Sequence, residues 1–142
     1  HQFEKVEIVQ ITHPNNSYTQ LKGMIEHVER LLNELELPFR LLKLCGGDLS
    51  FSSALTYDFE VFSVAQKKWL EVSSVSNFET FQARRSNIRC KEKSDINFCH
   101  TLNGSSLALP RILAAILENN QNKHGIKIPK ALIKYTGFET IS

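Results

Sequence analysis

The chain has 142 residues, 42% hydrophobic and 23% charged, the ordinary globular range and enough for one domain-sized core. A formal charge of +2 lacks the basic excess that announces nucleic acid by itself, and Cys45, Cys90 and Cys99, odd in number and without CxxC spacing, fit a reduced cytosolic protein better than a disulfide scaffold or zinc site. The longest mostly apolar run, Leu107–Leu117, is broken by Pro110 and Arg111, which excludes a helical membrane span.

Phe3–Ile11 is rich in β-branched residues and predicts a strand buried largely on both faces, ended by His13-Pro14-Asn15-Asn16. Leu21, Met24, Ile25, Val28, Leu31, Leu32 and Leu35 then recur at spacings of three and four, one stripe of an amphipathic helix. Ser17 with Gln20 three residues on predicts a capping box at its start, and Pro38 stops it. Phe39–Leu44 reads as a strand and Cys45–Asp48, with Gly46-Gly47, as a loop. Tyr57–Ser63 and Trp69–Val75 form a predicted antiparallel hairpin around the polar turn Ala65–Lys68.

Phe78–Asn87 predicts a helical turn, Ile88–Lys91 a short strand, Glu92–Asp95 a charged turn and Phe98–Leu102 a further strand. After Asn103-Gly104, the run Ser105–Asn119 places Leu109, Leu113, Ile116 and Leu117 on a helical stripe, with Pro110 tolerated in the first turn. Hairpin-joined strands with one long helix early and another late predict an α+β fold on an antiparallel sheet.

Taken singly, the polar residues are ordinary. An arginine on an apolar helix, such as Arg111, usually snorkels or forms an ion pair. Glu71 on a hairpin strand reads as a solvated surface residue, Phe3 as a strand aromatic and Glu7 as an edge charge. Strict alternation puts Glu71 and Ser73 on one side and Val72 and Ser74 on the other unless a bulge intervenes. The chain shows no GK[ST] phosphate loop, no GxSxG elbow and no Cys/His pairing that points to a nucleophile.

The blocks HQFEKVE (1–7), EVSSVSN (71–77), FETFQARR (78–85), HTLNGSSLALPR (100–111) and IPKAL (128–132) together resemble the catalytic core of seryl-tRNA synthetases, in the family's order and over nearly the whole sequence. The resemblance implies the class II synthetase fold, an antiparallel sheet of about six strands flanked by helices. It marks 1–142 as the C-terminal part of that catalytic domain, from the second half of motif 2 through motif 3. The N-terminal tRNA-binding arm and motif 1 would be absent, and the chain would be an excised piece.

The implied activity is serine–tRNA ligation: ATP-dependent formation of seryl-adenylate, then transfer to tRNA(Ser). Phe3, Glu71, Val72, Ser73, Ser74 and Arg111 would bind ATP, with Arg111 stacking on adenine and meeting the γ-phosphate. Glu7, Ser105, Thr101 and Asn103 would bind serine, and Glu71 and Ser74 would hold Mg²⁺, a hard cation suited to oxygen ligands and phosphates. Implied partners are serine, ATP, tRNA(Ser) and, in the full-length protein, a second copy in a homodimer. DNA and membranes are not expected partners, and the expected location is cytoplasmic. Ser106 and Pro110 stand where the family usually has glycine. Arg84 and Arg85 belong to a characteristic block, but the sequence assigns neither a task. Two rival readings stay open: a synthetase-like paralogue that loads an amino acid on a carrier protein, and a catalytically silent homologue acting as a binding or regulatory module.

Overall fold

The apolar stripe after Ser17 is realised as helix α1 (Ser17–Glu34), which buries Leu21, Met24, Val28 and Leu32. Each such side chain removed from water contributes about 1.5–3 kcal/mol. The structure, a computed structural model describing residues 2–142, leaves His1 of the opening block outside the described residues. Its main sheet contains β1 (Lys5–Thr12), β2 (Phe39–Lys43), β3 (Leu55–Ser63), β4 (Lys68–Asn77) and β7 (His100–Ala108) in the spatial order β1-β7-β4-β3-β2. All four pairings are antiparallel.

Helix α1 packs on β4 and β7, and α3 (Leu109–Asn119) on β3 and β4. Met24, Val28 and Leu32 meet Phe59, Val61, Val72, Val75, Leu102 and Ile112 in one core. The short helix α2 (Phe81–Ser86) packs on β7, and β5 (Arg89–Glu92) pairs with β6 (Asp95–Phe98) in a separate hairpin. At the C-terminal end β8 (Gln121–Asn122), β9 (Gly125–Lys127), α4 (Lys130–Thr136) and β10 (Thr140–Ile141) make a small appendage. Among the described residues no helix is long and apolar enough to cross a membrane.

The α+β antiparallel expectation holds, with five strands in the main sheet. Local differences have physical causes. Ser17 is not a capping residue: Asn16 is the N-cap and makes no side-chain cap bond. The Ser17 hydroxyl is instead buried, donating to the Pro14 carbonyl at 3.2 Å and lying 2.8 Å from His100 Nδ1 while Asn77 Nδ2 donates to it at 3.1 Å. Tertiary partners outweigh the local cap. Phe3 precedes β1, which begins at Lys5. The predicted turn Glu92–Asp95 is only the tip of the β5–β6 hairpin.

The largest departure concerns Ser105–Ala108, predicted as helix. These residues extend β7, because β1 pairs with them through Glu7↔Ser105 and Lys5↔Ala108 and the Ser73 hydroxyl donates to the Ser105 carbonyl at 2.6 Å. The helix starts only at Leu109, with Pro110 in its first turn as expected.

Gly104 lies opposite Val75 where β4 and β7 approach closely. A Cβ there would sit 2.9 Å from the Ser74 carbonyl oxygen and 3.0 Å from Val75 Cα. Gly104→Ala is therefore expected to cost about 1–3 kcal/mol of stability. Gly23 lies inside α1, and a Cβ added there would meet nothing within 4 Å, so Gly23→Ala is expected to gain about 0.5–1 kcal/mol. Urea midpoints of the two variants should move in opposite directions; a Gly104→Ala midpoint equal to wild type would contradict the close approach.

Candidate active site

Alternation along the strands gives the sheet two faces. Helices α1 and α3 cover one. The other carries Lys5 and Glu7 on β1, Thr101, Asn103 and Ser105 on β7, Glu71 and Ser74 on β4, and Asp58 and Glu60 on β3. The bulge required for Glu71 and Ser74 to share a face is present: Phe59 pairs with Ser73 but Glu60 pairs with Glu71, so Val72 is the extra residue. Val72 and Ser73 are each only 1% exposed, and Ser73 spends its hydroxyl on the Ser105 carbonyl. Of the four residues expected at ATP on this strand, the side chains of Glu71 and Ser74 face the site and those of Val72 and Ser73 face inward.

Glu7 and Ser105 are directly opposed across β1 and β7. Ser105 Oγ donates to Glu7 Oε2 at 3.4 Å, and Lys5 Nζ lies 3.0 Å from both Ser105 Oγ and Glu7 Oε2. Lys5 is invisible as a site residue in the sequence, where it looks like an ordinary strand-edge charge. Thr101 Oγ1 donates to Gln82 Oε1 at 2.7 Å and Asn103 Nδ2 to the same oxygen at 3.5 Å, so α2 closes this end of the site. Phe3 is 62% exposed and lies before β1.

Three carboxylates gather on the β3–β4 side. Glu60 is neutralised by Arg40 at 2.5 Å. Asp58 and Glu71 make none of the ion pairs among the described residues, and Asp58 Oδ1 is buried without a hydrogen-bond partner. Burial pushes the Asp58 carboxyl above its ordinary range, opposed by the Ser74 hydroxyl across the ladder and reinforced by Glu60 and Asp48. Burial also raises Glu71, Asp58 adding to the effect, with Arg111 and Lys5 working against it. Asp58 gives no signal in the sequence because its neighbours on the face come from a different strand. Arg111, in the first turn of α3, donates from Nη1 to the Glu71 carbonyl. A cavity of about 500 Å³ opens beside them, lined in part by Trp69, Glu71, Val72, Pro110 and Arg111.

The "tRNA synthetase class II core domain (G, H, P, S and T)" family matches residues 1–120. The chain belongs to this family. Similar class II proteins include the serine–tRNA ligases of Salinibacter ruber, 54% identical over 144 residues, and Finegoldia magna, 51% identical over 143 residues, each aligned over 99% of this chain and 34% of the relative. The chain thus spans about a third of the length of the curated relatives it matches. Among solved class II structures, seryl-tRNA synthetase from Pyrococcus horikoshii complexed with ATP superposes with a TM-score of 0.94 at 40% identity, covering 100% of this chain and 33% of that one. Cytoplasmic serine–tRNA ligase from Naegleria fowleri in complex with AMP gives 0.92 at 32% identity, covering 100% and 34%.

The unpaired carboxylates of this class II core have a linkage consequence. Their folded-state pKa values lie above the unfolded ones, so the folded state binds protons more tightly, and stability falls as pH rises from the ordinary carboxylate range through the raised values. Asp58→Asn removes that penalty. The variant is expected to melt above wild type at pH 7, with the difference vanishing below about pH 3.9, where the ordinary carboxylate is protonated as well. Melting curves in low salt at both pH values decide it; a difference that persists in acid would assign the effect to packing.

Proposed function

We propose that this chain is the C-terminal part of the catalytic domain of a cytoplasmic serine–tRNA ligase, spanning the second half of motif 2 through motif 3. In the full-length protein it would be joined to an N-terminal tRNA-binding arm and would work as a homodimer. The observation that carries the reading is the polar face itself, with Lys5, Glu7 and Ser105 at one set of cross-strand positions and Asp58, Glu71, Ser74 and Arg111 beside them. The whole-chain likeness to serine–tRNA ligases at about half identity supports it.

Activation of serine forms a bond from its carboxylate oxygen to the α-phosphorus of ATP and breaks the bond to the β-phosphate bridging oxygen, releasing pyrophosphate. A ribose hydroxyl at the end of tRNA(Ser) then attacks the acyl carbon, and AMP leaves. No protein nucleophile is needed; the task is to hold two anions in line and to stabilise shifting charge. Arg111 offers a planar, permanently charged fork for adenine and γ-phosphate. Phe3, ahead of β1, would supply an apolar ring for the other side of the base.

The oxygens on this face suit a hard divalent cation, since Asp58 Oδ1 is buried without a partner, Ser74 stands opposite Asp58 across the ladder and Glu71 shares the same face. Glu71 and Ser74 would hold Mg²⁺, with Asp58 alongside. Bound there, the ion supplies charge neutralisation for the phosphates. Glu7 and Ser105 present an acceptor and a hydroxyl that a serine side chain can satisfy, and Lys5 balances the Glu7 charge when the substrate is absent.

Serine selectivity follows from this pocket. An alanine substrate has no hydroxyl to replace the contacts that Glu7 and Ser105 make with Lys5 and with each other, so any contact it displaces is lost uncompensated, at roughly 1–3 kcal/mol for each unsatisfied group. In the full-length enzyme Glu7→Ala is expected to cripple serine-dependent pyrophosphate–ATP exchange, and Ser105→Ala to narrow the serine-over-alanine ratio of kcat/KM with the ATP constant nearly unchanged. An unmoved ratio in both variants would place the serine pocket elsewhere. Glu71→Ala is expected to lower the exchange rate on the order of a hundredfold, the usual cost of one preorganised electrostatic contact of about 3 kcal/mol, with a melting temperature at pH 7 no lower than wild type; near-normal turnover with a lowered melting temperature would instead make Glu71 structural.

A further inference from the structure

The serine and ATP positions leave the block Phe78–Arg85 without a task. Helix α2 has two sides. Gln82 turns toward the sheet and meets Thr101 and Asn103. Arg84 and Arg85 turn outward and are exposed, as is Arg89 at the start of β5. The Arg85 guanidinium lies 3.5 Å over the Phe81 ring, and Phe51, 91% exposed, meets that ring edge-on at 5.6 Å. Next to them Arg84 and Arg89 lie 5.3 and 4.9 Å from the centre of the Phe98 ring. A hollow of about 270 Å³ separates the Phe51 loop from α2, lined in part by Ser52, Phe78, Phe81 and Arg85.

The charges of this surface are open. None of the ion pairs among the described residues involves Arg84, Arg85 or Arg89. Glu79 lines the same hollow but makes no ion pair with these arginines, accepting instead from the Tyr18 hydroxyl at 2.6 Å, and Glu92 Oε2 lies 3.0 Å from His13 Nε2. Three permanent positive charges and a row of ring and guanidinium planes therefore share one exposed patch. An acidic peptide would use the charges but leave the Phe51 ring bare, and a duplex would offer phosphates but hide its base faces. Unstacked nucleotides supply both a phosphate chain and flat bases.

We propose that α2, the Phe51 loop and Arg89 form a landing surface for the single-stranded 3′ end of an RNA acceptor, bases stacking on Phe51 and the arginine planes and phosphates held by the guanidinium groups. The inference rests on the ligase reading and adds to it the path by which the RNA end arrives. Its position suits that role. Thr101, which touches α2 through Gln82, is four residues along β7 from Ser105, about 13 Å at the usual strand rise; the outward arginines lie farther by the width of α2, about 10 Å, a reach that a few extended nucleotides can span.

The test uses the full-length protein with Phe51→Ala and, separately, the combined Arg84→Gln, Arg85→Gln and Arg89→Gln variant. Serine-dependent pyrophosphate–ATP exchange, which needs no RNA, is expected to stay within about twofold of wild type in both. The kcat/KM for tRNA in aminoacylation is expected to fall about fivefold or more in Phe51→Ala, matching the loss of one stacked base, and further in the arginine variant. The salt slope of RNA binding should shrink by roughly 0.7 for each phosphate contact removed. Unchanged kcat/KM for tRNA, or an equal fall in exchange and aminoacylation, would overturn the proposal. If the wild type shows no serine-dependent exchange, the ligase reading fails instead. The surface is then judged by binding of an RNA hairpin with a single-stranded 3′ overhang against the same hairpin trimmed flush: a preference for the overhang that both variants lose supports it, and no preference overturns it.

Discussion

Everything on the polar face depends on how closely β4 and β7 lie together at Gly104. The missing side chain lets the Ser74 carbonyl and Val75 approach the strand that carries Ser105, and the Ser73 hydroxyl ties that strand down from the inner side. With the two strands held, the one-residue bulge at Val72 sets the phase of β4 on either side of it. Val72 and Ser73 both turn into the core, so Glu71 and Ser74 both emerge on the open face. A side chain at position 104 would disturb the spacing of the serine residues and of Glu71 together, because all of them are referenced to the same pair of backbones.

The second organising principle is the uneven pairing of charge. Glu60 has Arg40 and Glu7 has Lys5, while Asp58 and Glu71 form no ion pair among the described residues and both carboxyls are raised, Arg111 and Lys5 only partly offsetting the rise at Glu71. Paired carboxylates hold geometry at little electrostatic cost. Unpaired, partly desolvated ones are costly in the unliganded protein and become favourable only when positive charge arrives. The face is thus divided into a neutralised half around Ser105 and an electron-rich half around Asp58.

How much of this can be read from the sequence depends on whether each feature is local. The three-and-four spacing from Leu21 to Leu35 specifies α1 without help, and the polar turn before Lys68 specifies the β3–β4 hairpin. Ser105–Ala108 depart from the helical pattern because a strand a hundred residues earlier claims their backbone groups, a tertiary pairing that outweighs propensity. The bulge is half legible: alternation alone cannot put Glu71 and Ser74 together, so a defect is required, but its place at Val72 comes from the cross-strand register. Lys5 and Asp58 give no signal, since each becomes a site residue only through neighbours on other strands.

The two faces of the sheet divide structure from chemistry in a way that explains the burial of several polar residues. Ser17, Asn77 and Ser73 are as buried as the aliphatic core, yet each is hydrogen-bonded: Ser17 and Asn77 fasten a helix start and a strand end, and Ser73 ties the middle of β4 to β7. Asn77 in particular joins the end of β4 to the start of α1 through Ser17 and accepts from the Glu79 amide at the entrance to α2. A satisfied buried amide of this kind adds little net stability but penalises any other arrangement of the chain ends it joins. The residues left free to meet a ligand are those the inner network does not need, which is why Gln82 can face the site and Arg84 and Arg85 can face solvent from one six-residue helix.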